Sequence, residues 1–146
     1  MIEQLPFQLR MISCTEPDDF AEGSIISAVD KCGIYICTQG GVQVSVDGKT
    51  FGVNRGDIYI YMSGTLVRLL RRSDEAEGVM MTVDVGYILP IINKVMSAEN
   101  MLFIREHPCI SLTSAQSDYL FSLLRNLYDA WEGAKKRASA TAGSIC

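Results

Sequence analysis

The sequence predicts a mainly β fold of antiparallel strands, followed by C-terminal helices. The first observation is the alternation of valines with polar residues over 42–46, which is typical of a half-buried strand. The second is Asp47-Gly48, because Asp-Gly suits the type I′ turn of a two-residue hairpin. The third is a change at Gly86, after which helical patterns replace short strands separated by turns.

Short apolar segments bounded by turn residues predict the individual strands. A first strand is expected at 7–14 and, after a polar loop that contains Pro17 and Gly23, a second at 24–29. Further strands are expected at 34–38, 42–46, 50–53, 58–62, 66–70 and 79–85. Because these strands are short and follow one another without helices, a sandwich or a barrel is the natural architecture.

The residues after Gly86 predict a short helix and a long helix. The short one is expected near 87–96, with Pro90 in its first turn, where a missing N–H is tolerated. Two more short strands are expected at 101–104 and 109–112. Thr113 and Gln116 have the spacing of a capping box, which predicts a helix over 113–137. The small residues of 138–146 predict a linker.

The long helix carries more apolar surface than one docking contact needs. Its apolar side chains cover an arc of about 160°, whereas a stripe of about 100° suffices to dock on one surface. One edge is expected to cover the barrel and to leave Leu124, Tyr128 and Trp131 for a second copy of the helix. The predicted homodimer interface comprises Leu120, Leu124, Leu127, Tyr128 and Trp131.

Charge and cysteine content narrow the classes of function. The net charge of −4 gives no basic field for nucleic acid, so the chain alone is not expected to bind DNA. No apolar run approaches the ~20 residues of a membrane span, so no membrane contact is expected. The 5 cysteines are widely spaced without a CxxC pair, which indicates a reducing, cytoplasmic compartment.

The central stretch resembles the core of a cupin barrel. It reads GGVQVSVDGKTFGVNRGDIYIYMSGTLVR, and Gly56-Asp57 and Gly64-Thr65 fall where the cupin landmarks would lie. A barrel followed by two helices and a linker is similar to the N-terminal effector-binding and dimerisation domain of AraC-type transcription regulators. The resemblance covers 7–137. It implies a cupin-like jelly roll over 1–112, a dimerisation helix over 113–137, and a linker over 138–146 toward a DNA-binding domain outside this chain.

The metal ligands of enzymatic cupins are absent from the corresponding positions. Cupin enzymes hold a metal with histidines and a carboxylate, which would fall at 26–29, at Gly33 or Ile34, and at Val67. None of these residues is a ligand, and His107 is the single histidine of the sequence. We therefore expect no catalytic residue, no metal and no cofactor, and interpret His107 as a surface or packing residue.

Two strand faces carry the candidate ligand-binding residues. One face presents two side chains of the 34–38 strand and that of the following Gln39, and the other presents two tyrosines of the 58–62 strand. If they point into the barrel, they form an aromatic-walled pocket for a small polar effector, but periodicity does not decide between inside and outside. Arg68 could pair with an anionic ligand at the barrel mouth, although charged loops are more often only solvated. The candidates are Tyr35, Cys37, Gln39, Tyr59, Tyr61 and Arg68.

Two hypotheses of function follow from the resemblance. The first is a ligand-sensing and dimerisation module of an AraC-type bacterial transcription regulator, with an unknown small-molecule effector. DNA contacts would then be made only by a helix-turn-helix part outside this chain. The alternative is a stand-alone cupin, either a small-molecule binding protein or a sugar-modifying enzyme.

Overall fold

The computed structural model describes residues 6–15, 18 and 20–145, with side chains of the last helix described as far as Arg137. The strands are β1 (Phe7–Ile12), β2 (Lys31–Gln39), β3 (Gly41–Val46), β4 (Lys49–Asn54), β5 (Asp57–Tyr61), β6 (Val67–Arg72), β7 (Glu77–Asp84) and β8 (Cys109–Ser111). The helices are α1 (Val85–Val95), α2 (Ala98–Glu106) and α3 (Ser114–Ile145). None of these helices is both long enough and apolar enough to cross a membrane.

The strands form two antiparallel sheets that enclose a common core. The larger sheet has the order β1-β7-β2-β5-β8, and the smaller sheet has the order β4-β3-β6. The chain passes from the larger to the smaller sheet at Gly40, whose φ of 66° is in the left-handed region that glycine accepts. This topology confirms the prediction of a mainly β, cupin-like jelly roll with C-terminal helices.

The predicted hairpin turn is confirmed in its backbone. Asp47 and Gly48 have φ values of 49° and 87°, as a type I′ turn requires. The flanking strands β3 and β4 pair from Gly41 with Asn54 to Val46 with Lys49. The alternating valines of β3 consequently point into the core between the two sheets, where Val42 and Val44 are buried.

The long helix α3 is capped as the sequence predicts and packs on the outer face of the larger sheet. The backbone N–H of Thr113 donates to Gln116 Oε1 at 3.0 Å, and the N–H of Gln116 donates to Thr113 Oγ1 at 3.2 Å. Trp131 anchors the helix against Leu9 and Val79, and its ring lies 5.3 Å from that of Phe7.

Two predicted strands are wrong. Residues 24–29 contribute only an isolated bridge from Ile25 to Arg68, because this segment leaves the edge of β6 after a few backbone hydrogen bonds. Residues 101–104 lie inside α2, where the apolar run was mistaken for a strand. The overlooked signal is Ser97, whose hydroxyl caps the helix by accepting from the N–H of Asn100 at 3.1 Å.

Two predicted helix boundaries also change. Pro90 lies inside α1 and not in its first turn, because the helix already begins at Val85. The helix α3 continues through 138–145, where a linker was predicted. Ala138, Ala140 and Ala142 are strong helix formers, which accounts for the continuation. Its role as a connection to another domain stays a prediction.

Candidate functional site

The strand register places one row of side chains across the inner face of the larger sheet. Successive partners in this row are Arg10, Met80, Tyr35, Tyr59 and Cys109. Tyr35 and Tyr59 are buried in the core between the sheets. The two tyrosine-bearing faces therefore point inward, which the sequence pattern left open. That they bind a ligand stays a prediction.

Glycines on neighbouring strands make room for two of the tyrosine rings. Gly33 pairs with Tyr61 across β2 and β5, and a Cβ placed on Gly33 would overlap the Tyr61 ring. A Cβ placed on Gly78 of β7 would overlap the ring of Tyr35 in the same way. These two glycines fix where the rings lie and were not identified from the sequence. The available signal was a glycine inside a strand pattern, which often marks a place where another group approaches the backbone closely.

Three phenol hydroxyls in the core make no hydrogen bond of normal geometry to another described residue, although the hydroxyl of Tyr35 lies close enough to the Cys37 thiol to interact with it. They belong to Tyr35, Tyr59 and Tyr61, which are only 3%, 2% and 2% exposed. The thiol of Cys37, a neighbour of Tyr35 on the same strand face, already donates to the carbonyl oxygens of Gln39 and Gly40. Buried tyrosine hydroxyls normally find a partner, so these groups mark the interior as a place that can accept a polar molecule.

Burial keeps all three phenols in the neutral, hydrogen-donating form. Desolvation raises the pKa of Tyr61 to about 12, although the nearby charge of Arg10 opposes this rise. Desolvation also raises the pKa values of Tyr35 and Tyr59. At neutral pH each hydroxyl can therefore donate to an acceptor and can also accept a bond.

Cys37 and Gln39 do not complete the predicted pocket. Cys37 is fully buried, and desolvation raises the pKa of its thiol, so it packs the core and bonds the Gly40 corner. Gln39 is exposed beside α3, because the register of β2 shifts between Cys37 and Gln39 and turns the last side chain away. The prediction that Gln39 shares the inner face is wrong.

Arg68, a candidate contact for an anionic ligand, points outward, which agrees with the favoured interpretation that it is only solvated. Its neighbours Val67 and Leu69 are fully buried, so alternation along β6 points Arg68 outward. Its guanidinium donates to the carbonyl oxygen of Gly23 at 2.7 Å. The residue therefore holds the segment beside β6 and does not reach the interior.

Arg72, at the end of β6, makes a fully satisfied polar contact near the barrel opening. Its Nη1 donates to Asp18 Oδ1 and to the Phe20 carbonyl, both at 2.9 Å, and its Nη2 donates to the Ser13 carbonyl at 2.9 Å. Desolvation favours protonation of Asp18, but hydrogen bonds from Arg72 and from the Ser13 and Phe20 N–H groups outweigh it and lower the pKa of this carboxyl.

Arg10 was missed by the sequence prediction and faces the interior. Its guanidinium carbon lies 4.7 Å from the centre of the Phe20 ring, and its Nη2 lies 3.5 Å from Met80 Sδ, a weak acceptor. Its Nε is buried without a partner among the described residues, and none of their carboxylates lies within 4.0 Å. The signal was the alternation of β1, which assigned Phe7 and Leu9 to one face and left Arg10 on the other.

Two separate cavities border this row of side chains. A cavity of about 160 Å³ is lined by Tyr59 and Tyr61 together with Asp47 and Arg105. A groove of about 630 Å³ follows the β1 edge and is lined by Gln8, Arg10, Asp18 and Phe20, among others. Arg10 and Tyr61 therefore border different cavities, and the Arg10 groove is the one that continues along the edge strand.

The polar residues of this region do not form a metal centre. Within the described ranges, no group of three or more His, Cys, Asp or Glu side chains could hold a metal ion. His107 lies on the surface at the end of α2, where its ring stacks on Phe103 at 4.5 Å. Its placement agrees with the interpretation of a packing residue.

The predicted interface residues of α3 divide between two edges of the helix. Trp131 is 8% exposed and packs on its own sheet, with Tyr128 packed against the same cluster. Leu124 lines the groove between α3 and that sheet. The edge predicted to be free therefore contacts the barrel, because it buries the largest side chain there. Leu120 is half-buried, and Leu127, which is 41% exposed, lies on the opposite edge.

Comparison with solved structures shows where this fold recurs. Neither the protein-family models nor the curated proteins gave a match. The crystal structure of apo ToxT K231A from Vibrio cholerae is 10% identical, with a TM-score of 0.55 over 84% of this chain and 48% of that chain. The plu4264 protein from Photorhabdus luminescens is 16% identical, with a TM-score of 0.43 over 62% of this chain and 73% of that chain.

A third match is a cupin 2 conserved barrel domain protein from Salinispora arenicola, which is 15% identical. Its TM-score is 0.42 over 62% of this chain and 73% of that chain. At these identities a match shows the fold alone. The chain spans about half the length of ToxT, and it shares with ToxT a fold that includes more than the β sheets, because 84% of the chain is covered.

Proposed function

We propose that this chain is the ligand-sensing and dimerisation module of an AraC-type transcription regulator. DNA contacts belong to a helix-turn-helix domain outside this chain. The observation that carries the proposal is the pair of buried, unpartnered hydroxyls of Tyr59 and Tyr61 inside the barrel, with the hydroxyl of Tyr35 beside them in contact only with the Cys37 thiol. Supporting it, ToxT, whose fold the chain shares, is an AraC-family regulator.

The interior hydroxyls favour a ligand over a purely structural core. A buried hydroxyl without a partner costs free energy, typically about 1–3 kcal/mol for each group. A core that needed only stability would carry phenylalanine at these positions, because the ring packs equally well without the hydroxyl. A polar ligand that offers acceptors would offset the cost in the bound state alone, which is the condition for a sensor.

The exposed edge of α3 favours pairing with a second copy. Leu120, Leu123, Leu127, Ala130 and Ala134 are spaced three and four residues apart in alternation, which is the heptad pattern of a coiled-coil seam. Leu123 and Leu127 are 47% and 41% exposed in the single chain. A second α3 would cover them, and the two alanines would let the helix axes approach closely.

The contacts of Trp131 connect the ligand site with the seam. Trp131 packs on Leu9 and Val79, while the next residue on each of those strands, Arg10 and Met80, faces the interior. A ligand that prefers one arrangement of these strands would therefore also shift the position of α3. The shift is limited to the difference in affinity of the ligand for the two states.

Sedimentation of the isolated chain tests the pairing. The wild type is expected to sediment as a dimer at micromolar concentration, and Leu127→Glu as a monomer, because a charge cannot be buried in the seam. Leu89→Glu is the matched control, since Leu89 of α1 is 42% exposed and lies outside the seam. A wild type that stays monomeric at high micromolar concentration would contradict the pairing.

The coding sequence past Cys146 tests the regulator part of the proposal. Two helix-turn-helix units with a basic surface are expected to follow. A different continuation would contradict the regulator part of the proposal without contradicting its ligand-sensing part.

A further inference from the structure

We propose that Arg10 is the anion-binding residue of the barrel and that the effector is a small molecule with one carboxylate. The inference rests on the proposed ligand-sensing function and names the class of ligand. A guanidinium binds a carboxylate through two parallel N–H donors, and this geometry suits Arg better than any other side chain.

No carboxylate of the described residues lies within 4.0 Å of the Arg10 guanidinium, although Asp18 and Glu77 line the same groove. The side chain is half-buried and projects from the edge strand β1 to the inner face, where its Nε is buried without a partner. The contacts that it makes, with the ring of Phe20 and the sulfur of Met80, leave most of its donors unused. A buried donor without a partner costs free energy, so this arrangement calls for a function.

Arg72 shows what this fold does with an arginine that has only a structural role. Arg72 lies on β6, an edge strand of the smaller sheet. Like Arg10 it contacts Phe20, because its guanidinium donates to the carbonyl oxygen of Phe20. Arg72 has a carboxylate partner in Asp18 and two carbonyl acceptors. Of these two arginines at the barrel opening, one is fully neutralised and the other is left for a ligand.

The neighbouring groups select a carboxylate of single charge. The hydroxyl of Tyr61 is buried and unpartnered but borders a different cavity, so it is not assigned to this anion. Glu77 lines the same groove as Arg10 and forms no ion pair among the described residues, so it repels a second negative charge. The ring of Phe20 offers apolar surface to the remainder of the ligand, which indicates a carboxylate with an apolar body.

Titration calorimetry with paired probes tests the proposal. The probes are acetate, butyrate and benzoate, each paired with its neutral amide, and inorganic phosphate. At least one carboxylate is expected to bind the wild type, about tenfold or more tighter than its amide, because the charge-assisted bonds are lost in the amide. Phosphate is expected to bind more weakly than that carboxylate, because the carboxylate of Glu77 lies in the same groove and repels the higher charge.

Variants assign the binding to Arg10. Arg10→Met should weaken the binding of that carboxylate at least about tenfold. Arg10→Lys, which keeps the charge and loses the paired donors, should be intermediate. Arg68→Met is the control and should bind as the wild type does, because Arg68 points away from the interior. The thermal midpoint of each variant checks that it is folded.

Each remaining outcome counts against the carboxylate site. No binding of any carboxylate at millimolar concentration, equal binding of acid and amide, stronger binding of phosphate, or unchanged binding by the folded Arg10→Met and Arg10→Lys chains would overturn it. If the chain sediments as a dimer but binds no carboxylate, the carboxylate proposal is wrong and the proposed dimerisation module still stands. If the chain is monomeric but binds carboxylates, the pairing is wrong and the role of Arg10 still stands.

Discussion

At the scale of single residues, the ion pair of Arg72 and Asp18 ties the segment after β1 to the opening of the barrel. The two side chains are only 18% and 9% exposed, so water competes little for their hydrogen bonds. The bonds to the Ser13 and Phe20 carbonyls hold both ends of this segment. Arg72 therefore stabilises the wall against which Arg10 lies.

The pair makes stability depend on pH in the acid range. The pKa of Asp18 in the folded chain lies below its usual value of 3.8, so the unfolded chain binds more protons between the two values. Stability from this group is complete above about pH 4 and is lost as the pH falls through the folded-state pKa. Urea unfolding of the wild type at several pH values should show this loss of stability. Asp18→Asn should be less stable than the wild type at pH 7, and its free energy of unfolding should fall less steeply below about pH 4.

Substitution of Arg72, the cation of this pair, has a matched control in the neighbouring Arg71. Arg72→Met should lower the free energy of unfolding at pH 7 by about 2–3 kcal/mol, because it leaves Asp18 buried without its partner. Arg71→Met should change it by less than about 0.5 kcal/mol, since Arg71 is exposed. Equal effects of the two substitutions would contradict the role given to Arg72.

Residue-level predictions from the sequence failed where a single feature changes the direction of a side chain. Alternation correctly grouped Tyr59 with Tyr61, but the bulge in β2 reversed Gln39. Alternation would place Arg68 and Arg72 on the same face of β6, because they are four residues apart. The register shift between Leu69 and Arg71 instead brings Arg72 opposite the buried Val42, where it is half-buried. Arg10 was missed because a charged residue on an edge strand is usually assigned to solvent.

At the scale of elements, the start of α3 could be predicted from the sequence, but the face that packs on the sheet could not. The capping box at Thr113 and Gln116 predicted its start, because these bonds involve neighbours in sequence. The arc of apolar residues was also predicted. Which edge faces the barrel depends on the surface of β1 and β7, and a helical pattern carries no information about that surface.

Trp131 is expected to hold α3 on the barrel. Trp131→Ala should lower the free energy of unfolding by about 3–5 kcal/mol, because a large buried side chain is replaced by a cavity. Tyr119→Ala is the control on the same helix, since Tyr119 is 69% exposed, and it should cost less than about 1 kcal/mol. Urea unfolding followed by circular dichroism measures both. A small effect for Trp131→Ala would mean that α3 is held elsewhere.

At the scale of the whole molecule, the sequence predicted the layers but not how they are joined. Strand order in the larger sheet brings β1 next to β7 and β2 next to β5, pairings between residues distant in the chain. Short-range patterns cannot specify such pairings, whereas they did specify the β3–β4 hairpin. The residues of the proposed ligand site are brought together by these distant pairings, so its composition became visible only in the fold.

Association should be visible in the stability of the complete chain. If two copies pair through α3, the thermal midpoint of the wild type rises with protein concentration, because mass action favours the folded dimer. The midpoint of Leu127→Glu should not depend on concentration. Differential scanning calorimetry over a hundredfold range of concentration measures both, and an invariant wild-type midpoint would argue against pairing.

The seating of the Tyr61 ring on Gly33 has a consequence for how this barrel can evolve. Any side chain at 33 would collide with the ring, and a smaller residue at 61 would leave a hole over the glycine. A side chain can therefore enter position 33 only together with a smaller residue at 61, whereas Tyr61→Phe keeps the ring and needs no change at 33. The collision acts in one direction, so Gly33 is more constrained in evolution than Tyr61 is.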